Sequence, residues 1–193
     1  MWNQQSVEIR GQIYMTGGAI ANSKTYLKQT CVLNEKSWCF DNLSDMHYER
    51  DAHGCTKWLN RYIIVVGSWH GTESTSTCES YDVIKNEWNL LPKLNDATCA
   101  PGLVVMQDRY LYKLGGTSDI GKVEMLDLVQ PKDKMKWVSI TTSNKFGRKH
   151  TINRCLLHPL PRNDKSFLVL GCHFGRSEKP FVYDIKDNMY TQF

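Results

Sequence analysis

Hydrophobic and polar residues alternate along this chain in short runs, each closed by turn residues. "GQIYMTGG", "NRYIIVVGS", "DRYLYKLGG" and "KSFLVLGCH" share one form: alternating Ile, Val, Leu, Tyr and Phe that stop on a glycine pair or its remnant. Alternation of this kind suits a pleated strand with one face buried, whereas glycine ends it. The pairs are Gly17-Gly18, Val66-Gly67, Gly115-Gly116 and Gly171-Cys172, and their second members are spaced by 49, 49 and 56 residues. A constant period of this size marks a repeat architecture.

Two further markers follow each pair in order. The first is a short strand, "ESYDV", "EMLDL" or "FVYDI", carrying Tyr81-Asp82, Leu126-Asp127 or Tyr183-Asp184, with the weaker "CVLNE" in the first unit. The second is an aromatic residue. Trp38, Trp88 and Trp137 lie 20, 21 and 21 residues after Gly18, Gly67 and Gly116, and Tyr190 takes this place in the fourth unit.

Each unit therefore reads as four strands, A to D. They are expected near 5–9, 12–16, 26–33 and 37–40 in the first unit, and near 53–59, 62–66, 78–83 and 87–91 in the second. The third unit places them near 101–107, 109–114, 122–128 and 136–141, and the fourth near 152–158, 165–170, 180–185 and 188–193. The units span about 1–45, 46–95, 96–145 and 146–193. "LNRY" supplies an A–B turn and "IKNE" a C–D turn, with Asn86 at the bend. No segment shows capped helical periodicity. Four-stranded units of this period predict an all-β protein of β-propeller blades. Glycine at the end of strand B answers crowding near a propeller's centre, and the strand-D aromatic is expected to pack between neighbouring blades.

These markers resemble the kelch repeat. Arg50 in "YERDAHG", Arg148 in "FGRKHTI" and Leu91-Pro92 resemble further features between kelch strands. Val66 and Cys172 depart from the glycine pair, Tyr190 departs from the tryptophan, and "KLNDATCAP" lacks the arginine. The resemblance implies a kelch-type propeller that binds a partner protein as a scaffold or adaptor. It also implies company from BTB or F-box domains, and partners such as ubiquitin-ligase substrates or actin. The resemblance implies a ring of about five to seven blades, within the range that propellers span. The four units are therefore expected to belong to a longer ring, to be completed by another copy or another chain, or to close alone as a distorted small propeller.

Composition changes this picture little. Hydrophobic content of 41% and charged content of 23% are ordinary for a globular domain, and a net charge of +4 gives no case for nucleic acid. No apolar run is long enough to span a membrane. Seven cysteines at scattered positions favour reduced thiols and a cytoplasmic protein over a disulfide framework. "HGC" and "GCH" lack the paired spacing of a zinc site, and no metal or cofactor is expected. No nucleophile elbow or phosphate loop is present, so the chain reads as non-enzymatic. The alternative is a kelch-type enzyme with a small-molecule site in the central channel.

Binding belongs to loops on a rigid scaffold. The B–C and D–A loops of a propeller emerge on one face, and their aromatic and basic residues are the candidates: Tyr48, Trp69, His70, Arg148, His173, Phe174 and Arg176. Trp69 and Phe174 have a second reading, as caps folded back over their own blades. The basic stretch Asn144 to Arg154 suits an acidic partner or a solvated loop. The B–C loop "SWHGTESTST", with its run of Ser and Thr, is expected to be mobile.

Overall fold

A computed structural model describes residues 2–117, 122–140, 155–160, 163–170 and 180–192. Every regular element among them is a strand. The chain divides into two compact units, Met1–Cys99 and Ala100–Phe193, each holding two four-stranded antiparallel sheets.

In the first unit, β1 (Gln5–Ile9), β2 (Gln12–Thr16), β3 (Thr30–Asn34) and β4 (Cys39–Asn42) form one sheet in chain order. β5 (Gly54–Trp58), β6 (Tyr62–Trp69), β7 (Ser74–Asp82) and β8 (Glu87–Leu91) form the other. Ile9, Tyr14, Met46, Ile63, Val65, Tyr81 and Trp88 bury their side chains in one cluster between the two sheets. In the second unit, β9 (Gly102–Met106), β10 (Tyr110–Leu114), β11 (Val123–Asp127) and β12 (Trp137–Ile140) make a sheet. β13 (Leu156–Leu160), β14 (Asn163–Leu170), β15 (Phe181–Asp184) and β16 (Met189–Gln192) make the next. Phe167, Tyr112, Tyr183 and Tyr190 anchor its core, with ring centroids about 5 to 6 Å apart. These are four kelch-type propeller blades.

The Tyr-Asp strand owes its repetition to the turns. Asp82 Oδ1 accepts the backbone N–H of Ile84 and Lys85, Asp127 that of Val129, and Asp184 those of Lys186 and Asp187. Asn34 does the same for Lys36 and Ser37 in the first blade. The same aspartates fasten the A–B turn. Arg61 grips Asp82 through two bonds of 3.1 and 2.6 Å, and Arg109 grips Asp127 through bonds of 3.0 and 2.6 Å. The arginine beside each holds both carboxyls below the usual carboxylate range, Asp127 at about 2.

Strand B ends in glycine because backbone from the next connection lies against it. At Gly17 a Cβ would fall 2.5 Å from the Arg50 carbonyl oxygen and 2.9 Å from His53 Cε1. At Gly67 it would strike the Thr98 carbonyl. Both residues adopt the left-handed backbone, at φ of 59° and 64°.

The structure corrects four readings. Trp38 does not pack between blades. It occupies the C–D turn at φ 54°, where the second and fourth blades have Asn86 and Asn188, and it is 76% exposed. The register pairs Leu33 with Phe40, as it pairs Tyr81 with Trp88, Leu126 with Trp137 and Tyr183 with Tyr190. Phe40 is thus the first blade's strand-D aromatic, and it is 44% exposed, whereas the other three are buried. The first blade's strands C and D also fall later than expected, at Thr30–Asn34 and Cys39–Asn42. Strand A of the fourth blade likewise falls later, at Leu156–Leu160. That places Pro159 on an edge strand at a register shift, both positions where a sheet tolerates proline. Finally, "SWHGTESTST" is largely hairpin. β6 continues through a register shift at Gly67, pairing Ser68 with Thr75 and Trp69 with Ser74. Thr75 is further tied to Thr98, whose N–H donates to the Thr75 carbonyl at 3.0 Å.

Candidate functional site

Three connections meet on the first unit: the B–C loop of the first blade, the D–A connection between its two blades, and the tip of the β6–β7 hairpin. Backbone bonds fix them to one another. Met46 and Arg50 donate their N–H groups to the carbonyls of Lys28 and Leu27, and Gly18 donates to that of Arg50. Trp69 donates to the Asp51 carbonyl at 2.8 Å. His70 joins all three connections, with its ring 5.2 Å from that of Tyr26 and Nε2 3.4 Å from Glu49 Oε2.

Beneath this surface lies a polar anchor. Arg50 and Glu79 are both 0% exposed. Arg50 donates Nε and Nη2 to Glu79 Oε1, at 3.3 and 2.9 Å, and Nη1 to the carbonyls of Gly67 and Thr77, each at 2.9 Å. Glu79 also receives the backbone N–H of His47 at 2.8 Å, that of Tyr48 at 3.4 Å, and His47 Nδ1 at 2.7 Å. One carboxylate on β7 therefore collects donors from three residues of the D–A connection. A buried charge is tolerated when it is paired and its remaining lone pairs are filled, as they are here. In the second unit Glu124 holds the matching place on β11 and lies 3.4 Å from the buried Lys113.

His53 stands beside the anchor with its Nε2 2.9 Å from Thr16 Oγ1. Burial, with Arg50 adding its charge, pushes its pKa down to about 3. Burial also pushes the Cys55 thiol up to about 12, a protonated and unreactive state. None of the six described cysteines forms a disulfide. The described residues hold no group of three or more His, Cys, Asp or Glu side chains placed for a metal ion. They include no helix long and apolar enough to cross a membrane.

Of the residues singled out in the sequence, Trp69 and His70 sit at the hairpin tip. Trp69 is half-buried at the end of β6 and His70 is exposed. Tyr48 is exposed on the D–A connection. Arg148, His173, Phe174 and Arg176 lie outside the described residues, as does Gly171 of the repeat signature. Sequence reasoning missed Tyr26, Glu49, His47 and Glu79. The signal for Glu79 is present: Glu79 and Glu124 both stand three residues before the aspartate of strand C.

Comparison with known proteins agrees with this geometry. The family model "Kelch motif" matches residues 59–95, from the β5–β6 turn to just past β8. Kelch-like protein 40 of Xenopus tropicalis is 33% identical over 104 residues, covering 54% of this chain and 16% of that protein. Kelch repeat and BTB domain-containing protein 2 of Cowpox virus (strain Brighton Red) is 28% identical over 131 residues, 65% of this chain and 22% of the relative. Its namesake in Ectromelia virus (strain Moscow) is 25% identical over 191 residues, 99% of this chain and 33% of the relative. The chain thus spans a third or less of these relatives' lengths. In its four four-stranded blades, its strand-C aspartate or asparagine and its strand-D aromatic, the chain is similar to these kelch-repeat proteins.

Proposed function

We propose that this chain is a protein-binding module whose recognition face is the loop surface of the first unit, with Tyr26, Tyr48, Glu49, Trp69 and His70 as its contact residues. The observation that carries this is the joining of three connections through His70 over the buried Arg50–Glu79 pair. Such a surface is rigid before a partner arrives, so little ordering entropy is lost on association. Its aromatic and imidazole side chains are of the kind that dominate protein interfaces, and the broad polar surroundings differ from the deep, convergent site an enzyme needs. The relatives named for BTB domains support a scaffold or adaptor role in a longer polypeptide, and recognition of a ubiquitin-ligase substrate is one form this role takes.

The test is quantitative affinity capture with the wild-type chain and with Tyr48→Ala/His70→Ala. A protein enriched by the wild type and lost with the double variant, at unchanged thermal stability, is the expected result. Equal recovery by both places binding elsewhere.

A further inference from the structure

The bonds at Glu79 fix something that the fold alone does not: the tautomer of His47. Five contacts reach this carboxylate, from Arg50 Nε and Nη2, the backbone N–H groups of His47 and Tyr48, and His47 Nδ1. The carboxylate, ion-paired with Arg50, is an acceptor only, so the 2.7 Å contact requires the proton of neutral His47 to sit on Nδ1. Nε2 is then a bare lone pair. The His47 side chain is 46% exposed, next to Tyr48, and its Nε2 makes no hydrogen bond among the described residues. Glu79 also locks the ring through the backbone N–H of the same residue, so Nε2 is held in place as well as in protonation state.

Resting on the recognition face proposed above, we propose that His47 is a specificity-determining residue of that face, and that Nε2 accepts a hydrogen bond from a donor group on the bound partner. A partner carboxylate or phosphate at this position finds no donor on the neutral ring. A backbone N–H, a hydroxyl or an ammonium is accepted. Discrimination of this kind comes from leaving a polar group unpaired when the wrong partner binds.

Two measurements test this. The first is a long-range proton–nitrogen NMR spectrum of the full chain at a pH where the imidazoles are neutral. His47 is expected as the Nδ1–H tautomer in the wild type, and to lose that preference in Glu79→Gln; an Nε2–H tautomer in the wild type overturns the proposal. The second uses peptides selected from a random phage-displayed library on the wild-type chain. Asn at position 47 keeps a donor for Glu79 but has no atom at the Nε2 position, and Gln restores an acceptor there. The expected result is binding about five- to tenfold weaker with His47→Asn, the loss of one hydrogen bond, at an unchanged melting temperature. Partial rescue by His47→Gln is expected with it. Equal binding to His47→Asn overturns the acceptor role, yet leaves the recognition face standing if the same peptides are lost with Tyr48→Ala/His70→Ala. Peptides indifferent to all these variants, or no peptide at all, overturn both.

Discussion

Replacing Arg50 by methionine tests whether the buried pair holds the first unit together. Methionine keeps much of the apolar volume but removes the charge and four hydrogen bonds, two to Glu79 and one each to the Gly67 and Thr77 carbonyls. Glu79, at 0% exposure, is left charged in a packed interior with only His47 and Tyr48 as donors. Breaking a buried pair from one side costs about 3–5 kcal/mol, and the two orphaned carbonyls put this case toward the upper end. Removing both partners, as in Arg50→Met/Glu79→Leu, leaves no buried charge. Its cost should fall short of the sum of the single costs by about 2 kcal/mol or more. The assay is urea unfolding of the four proteins in the cycle, followed by tryptophan fluorescence. A loss below about 1 kcal/mol for Arg50→Met, or strictly additive single costs, would refute the reasoning.

Two further outcomes follow from the same structure. His53 is neutral in the fold at a pKa of about 3, but takes up a proton in the unfolded chain below about 6.5. The unfolded state then binds more protons between these values, so stability falls as pH drops from about 6.5 toward 3, by up to about 1.4 kcal/mol per pH unit. His53→Gln should flatten the pH dependence of the urea midpoint between pH 7 and 5, and an unchanged slope counts against this account. Trp38→Asn should raise stability by about 1 kcal/mol, because asparagine enters the left-handed region more readily than tryptophan and Trp38 gives up little buried area there. A drop in melting temperature on this substitution would show that the exposed indole stabilises the fold after all.

The error at Trp38 shows where reading along the chain fails. Counting from the glycine pair gave nearly constant spacing, because a shorter B–C connection offsets the longer C–D turn of the third blade, and Trp38 happens to lie two residues before Phe40. Counting from strand C is safer. Trp88 lies seven residues after Tyr81 and Tyr190 seven after Tyr183, and the same step from Leu33 reaches Phe40. In these three blades a tight C–D hairpin fixes that distance through its own hydrogen bonds, whereas the third blade has a longer C–D turn that puts Trp137 eleven residues after Leu126. The Ser/Thr-rich loop misled for a related reason. Its composition is that of a turn, but its strand pairing is drawn out by Asp51 and Thr98, each bridged to one of its residues.

By itself the sequence determined the number of repeats, the all-β class, the glycine stops and the recurring strand-C aspartates. Each of these is local: alternation sets strand faces, and a side chain caps a backbone N–H two or three residues away. Only the tertiary structure decided that Glu79 would gather Arg50, His47 and Tyr48 from about thirty residues earlier in the chain, or that His70 would bind Glu49 and Tyr26. Partners so far apart in sequence are chosen by how one blade leans on the next. Burial then turns such a choice into an ion pair, a shifted pKa or a fixed tautomer, because a charge removed from water must be met by specific donors.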